Sequence, residues 1–120
     1  MPVAARPSWY ALPLRYEPAD LGGLPLQRFL DAVRAEGAIE ADRPGSTCPL
    51  GTHPLFQAPG ALLPGYAGRQ DCAVGDLPAA GYVHATTFKL PVWHREEDVR
   101  LADACTAAVA KVASHAKDLL

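Results

Sequence analysis

Four side chains in this sequence have the chemistry of soft metal ligands: Cys48, His53, Cys72 and His84. Four residues separate Cys48 from His53, eighteen separate His53 from Cys72, and eleven separate Cys72 from His84. Structural zinc sites use tight pairs such as C-x2-C or H-x3-H, which fix two ligands on one turn, and no such pair stands here. The cysteines therefore read as small apolar residues, and no metal is expected. Nucleophile–base chemistry is the next candidate. Ser46, Cys48 and His53 share one Pro-rich stretch, and His94 precedes Glu96, Glu97 and Asp98. None of them lies in a Gly-x-Ser-x-Gly or comparable frame, so the expectation is loop hydroxyls and surface or packing histidines. Gly22-Gly23 stands before a helix but lacks the further glycines of a phosphate loop, and it reads as a turn. Lys89 is conceivable as a Schiff-base lysine. It runs straight into Leu90-Pro91-Val92-Trp93, which favours a solvent-facing or interface lysine. No self-contained catalytic set emerges.

The elements that would position these residues are few. Twelve prolines and ten glycines in 120 residues imply long connections between a small number of helices and strands. Hydrophobic residues make up 49% and charged residues 20%, enough apolar content for a packed core. The net charge of −2 argues against a nucleic-acid partner. No apolar run reaches the ~18–20 residues that cross a bilayer. The stretch Met-Pro-Val-Ala-Ala-Arg-Pro carries no hydrophobic leader, so residues 1–8 read as a flexible lead-in and 9–120 as one domain. Three cysteines without such a leader suggest reduced thiols in a cytoplasm.

An α+β fold is expected, with a small antiparallel sheet from strands near 9–16, 38–42 and 86–92. Leu12 and Leu14 alternate with Pro13 and Arg15, the period of a strand, and Pro13 demotes part of it to an edge or puts a bulge in it. Two main helices, near 25–36 and 96–117, pack on one face. Leu26, Phe29, Leu30 and Val33 make the stripe of the first, and Gly37 suits its left-handed end. Val99, Ala102, Cys105, Val109, Val112 and Ala116 make the stripe of the second. A short helix starts at Pro78. Between Arg43 and Asp76 lies a long Pro/Gly-rich loop, expected to be ordered because Leu50, Leu55, Phe56, Leu62, Leu63 and Tyr66 are interleaved in it. A core this small cannot easily bury them all, so the loop is expected to lie on another domain or subunit.

Four stretches carry a resemblance to a known family. They are Trp9 to Tyr16; Arg28 to Gly37; Pro44 to Leu50 with Pro54-Leu55-Phe56; and Lys89 to Asp98 leading into Ala108 to Val112. Their order and spacing across 9–120 resemble the C-terminal small domain of the DegT/DnrJ/EryC1/StrS aminotransferases. Complete enzymes of that family use pyridoxal phosphate to move an amino group onto a keto sugar or keto-cyclitol. The resemblance implies no catalytic and no cofactor-binding residue in this chain, because the cofactor lysine, the acid at the pyridine nitrogen and the stacking aromatic lie in the large domain. It implies that His53 and Phe56 sit on a wall of the substrate cleft. The expected partner is a separate large-domain protein or, in its absence, a second copy of the chain. The sequence departs from the family where Ala80-Gly81 replace an acidic residue near a helix start. That departure supports an alternative, an interaction module that kept the fold and lost the chemistry.

Overall fold

The structure is a computed structural model and describes residues 9–45, 48–66 and 77–120. The expected lead-in at 1–8 lies outside the described residues. The chain divides into two compact units, one made of Met1–Asp42 with Phe88–Leu120 and the other of Arg43–Thr87. The architecture is the expected α+β.

In the first unit the sheet is a two-stranded antiparallel pair, β1 (Leu12–Arg15) with β2, which runs from Thr87 to Leu90. The third expected strand, near 38–42, is a single antiparallel bridge. Asp42 and Lys89 exchange both backbone hydrogen bonds, at 3.1 and 2.7 Å, and the pairing goes no further. The segment is held by a side chain instead. Arg34 donates to the Ala41 carbonyl at 2.8 Å and to the Asp42 carboxylate at 2.9 Å. Those bonds fix residues 41 and 42 beside β2 without a ladder. Because Lys89 turns its backbone groups to Asp42, alternation turns those of Phe88 and Leu90 to β1. Pro13 has no N–H to give, so it belongs on the open side of β1, and it removes a donor from that edge.

The helix α1 (Leu26–Ala35) buries its whole predicted stripe, Leu26, Phe29, Leu30 and Val33. Its end is a Schellman motif. Gly37 N–H bonds the Arg34 carbonyl at 3.0 Å, and Ala38 N–H bonds the Val33 carbonyl at 3.2 Å. Gly37 adopts φ 106°, where an L side chain is strained. Gly37→Val should therefore cost about 1–3 kcal/mol, read as a lower urea midpoint at unchanged slope.

The long C-terminal helix is shorter than expected. A 3₁₀ turn covers Glu96–Asp98, α5 runs Val99–Ser114, and a second 3₁₀ turn covers Ala116–Leu119. Its buried stripe is Cys105, Ala108 and Val112, continued by Ala116. Cys105, Val112 and Ala116 of the expected stripe are buried, Ala102 and Val109 are half-buried, and only Val99 at the start is exposed, while Ala108 joins the buried face. Lys111 ties to Glu36 at 2.6 Å where α5 meets the end of α1.

The core is one cluster in which β2, α1 and α5 meet. Phe29 sits between Tyr16 and Phe88, with ring centroids 5.1 and 5.8 Å away. Tyr16 donates its hydroxyl hydrogen to the Leu24 carbonyl at 2.6 Å, which satisfies a buried phenol. Burial raises the pKa of Tyr16, and burial together with the Glu40 charge raises that of Cys105. Both groups hold their protons more tightly when folded. Their contribution is complete below the unfolded values, ~8.5 for Cys and ~10 for Tyr, and is lost as pH rises through the folded ones. Thermal midpoints should fall from about pH 8.5 upward, and the first part of that fall should be missing in Cys105→Ala.

The second unit is built, from Leu50 to Tyr66, from single turns. A 3₁₀ turn at Leu50–Thr52 leads into α2 (Pro54–Gln57), α3 (Pro59–Leu62) and a 3₁₀ turn at Pro64–Tyr66. Each α-helical segment opens on a proline, whose absent N–H costs nothing there. For α2 and α3, a proline two residues past the last helical residue, Pro59 and Pro64, keeps the segment to one turn. The expected helix from Pro78 is present as α4 (Pro78–Ala85), Gly81 included.

Candidate functional site

His53 and Phe56, the residues placed on a substrate-facing wall by the resemblance, are neighbours on α2. His53 is the N-cap, and its Nδ1 accepts the Leu55 N–H at 3.3 Å. That bond puts the ring proton on Nε2, the atom left for an outside partner. The His53 ring meets the Phe56 ring edge-on, with centroids 6.4 Å apart. Both side chains are exposed. The pair thus offers an imidazole donor beside an aromatic surface.

The other candidates do not converge. Cys48 Sγ lies 3.3 Å from Thr52 Oγ1, an exposed local contact. His94 is exposed. His84 lies on α4, and its Nδ1 is buried with no hydrogen-bond partner among the described residues. Ser46 and Cys72 lie outside the described residues. Among the described residues no group of three His, Cys, Asp or Glu side chains comes together to hold a metal ion. No described helix is long and apolar enough to cross a membrane.

Lys89 lines a hollow of about 350 Å³ with Tyr10, Ala11, Glu40 and Pro91. Its ammonium lies 5.7 Å from the Tyr10 ring centroid. This hollow does not fit pyridoxal phosphate. Its lining has no guanidinium, serine, threonine or helix N-terminus for the phosphate, and the Glu40 carboxylate would repel that group.

One feature escaped sequence reasoning, a groove of about 310 Å³ in the first unit, between Trp9 and Leu12, the Pro91–Trp93 stretch, and Ala102 and Thr106 of α5. Each tryptophan follows or precedes a Leu-Pro run, but more than eighty positions separate them in sequence, and only the β1–β2 pairing brings them together. The surface of the 43–87 unit, by contrast, carries the uncovered apolar residues that the sequence led us to expect there. None of its described large apolar side chains is buried, and Leu50 and Leu62 are 66% and 58% exposed. Phe56, Leu63, Leu77, Tyr82 and Val83 are exposed as well. The interleaved apolar residues of the loop were the available signal.

Comparison of the chain with protein-family models, with curated proteins and with solved structures finds no match.

Proposed function

We propose that the chain is a small-domain-like part of a pyridoxal-phosphate-dependent sugar or cyclitol aminotransferase. It is not catalytic alone and is completed by a large domain that brings the cofactor. The observation that carries this reading is the apolar surface of the 43–87 unit, which shows leucines and aromatics to water with no core of its own among the described residues. Contiguous exposed apolar surface of a few hundred Å² marks an interaction site. On that surface His53 offers a donor and Phe56 a ring, a pairing suited to the hydroxyls and the apolar ring face of a sugar. The resemblance assigns the pyridoxal phosphate to the partner, and the Lys89 hollow, which has no group to hold a phosphate, supports that assignment.

The test mixes the purified chain with a cofactor-loaded sugar-aminotransferase large domain lacking its own small domain. Restored amino transfer from glutamate to a keto sugar is expected. If the chain alone turns yellow with pyridoxal phosphate, the reading is overturned. A second reading is favoured by the same surface together with the scattered candidate residues: an interaction module that binds such a partner without completing its chemistry. Association without restored transfer selects it.

A further inference from the structure

We propose that the Trp9–Trp93 groove binds a neutral, flat, two-ring molecule that donates one hydrogen bond to Thr106. The proposal is independent of the aminotransferase reading. Three features of the groove define its occupant. First, none of its lining side chains is charged, and Trp9, Leu12, Pro91, Trp93 and Ala102 make it almost wholly apolar. A charged ligand would lose its hydration there with nothing to replace it. Second, its one hydroxyl, on Thr106, is already half-committed, and it is the only side-chain acceptor beside the two indole N–H donors. The Thr106 hydroxyl donates to the Ala102 carbonyl at 2.9 Å. Its hydrogen is spent, and the oxygen offers lone pairs only, so a ligand must bring the donor, an O–H or N–H. Third, about 310 Å³ lies at the lower end of the roughly 300–1,000 Å³ of small-molecule sites, the capacity for a compact bicycle. Tryptophan faces favour a flat ring over a branched aliphatic chain.

A second copy of the chain is a poorer occupant. Two-fold association sets like surface against like. Here that places concavity against concavity beside a strand edge blunted by Pro13. The cost of leaving the groove open is visible in Trp9, which remains 54% exposed.

Trp9 and Trp93 are the only tryptophans in the chain, so their two indole N–H signals report on the groove directly. The ¹⁵N-labelled chain is titrated at neutral pH with 2-naphthol and, separately, with 2-methoxynaphthalene. Both indole signals should shift saturably. The methoxy compound, which cannot donate, should bind about five-fold more weakly, the worth of one net hydrogen bond. Thr106→Val changes an exposed helix residue and should leave the fold intact. In that variant the two probes should bind equally. Absence of a saturable shift overturns the proposal. Equal binding to the wild type, or a naphthol preference that survives in Thr106→Val, overturns the assignment to Thr106. Indole shifts that follow protein concentration without any probe would give the groove to a second copy and overturn it also.

Discussion

Phe29→Ala should come close to unfolding the first unit. The ring is 2% exposed and bridges Tyr16 on one side and Phe88 on the other. Truncation removes both ring contacts and leaves a cavity at the centre of the buried cluster. Such deletions cost about 3–5 kcal/mol, against a total of about 5–15 kcal/mol for a domain. A urea melt followed by circular dichroism should show the midpoint fall by half or more, or no folded baseline at all. Leu62→Ala in the other unit is the control. Its side chain is largely in water already, so the change should stay within about 0.5 kcal/mol. A Phe29→Ala cost under 1 kcal/mol would contradict the packing described for the core.

The second large effect is on association. If the 43–87 surface is what partners cover, the isolated chain has only itself to cover it with. It should sediment as a homodimer at high micromolar concentration. Leu50→Asp combined with Leu62→Asp should turn it into a monomer. Each carboxylate would have to be desolvated without a counter-charge, which costs several kcal/mol for the pair, or two to three decades in dissociation constant. The stability of the monomer should barely move, since both leucines are exposed. Sedimentation equilibrium distinguishes these outcomes. A monomeric wild type would remove the argument for a partner-covered surface.

What local pattern could determine, it determined. The stripe Leu26, Phe29, Leu30, Val33 is buried as its period requires, because a helix face is set within one segment. Gly37 is the C′ residue and Pro78 the first residue of α4, because backbone sterics act on single positions. Errors arise where distant segments compete. Residues 38–42 have the composition of a strand, yet Arg34 captures the Ala41 carbonyl and the Asp42 carboxylate and leaves one bridge. The α5 stripe is a ridge of alanines and valines, and its period correctly placed Cys105, Val112 and Ala116 in the core. It missed Ala108 and included Val99, which lies exposed at the start of the helix, beyond the packed stretch. The candidate site shows the same division. His53 and Phe56 are three residues apart on one turn, so their neighbourhood follows from sequence. The Trp9–Trp93 groove depends on strand pairing between the two ends of the chain, and no window of sequence contains it.

The single proline of β1 bears on how this protein behaves in a crowded cell. Among the described residues the sheet has only two strands, and β1 has a neighbour on one side only. A bare edge of that kind is a template: an unfolded or partly folded chain can add itself, then expose a fresh edge to the next. Growth of that kind needs a continuous row of donors and acceptors. Pro13 breaks the row one residue into a four-residue strand, and the charge of Arg15 at its end hinders stacking of identical copies. Leu12, Trp9 and Tyr10 thus stand exposed beside an edge that Pro13 makes a poor template for such growth.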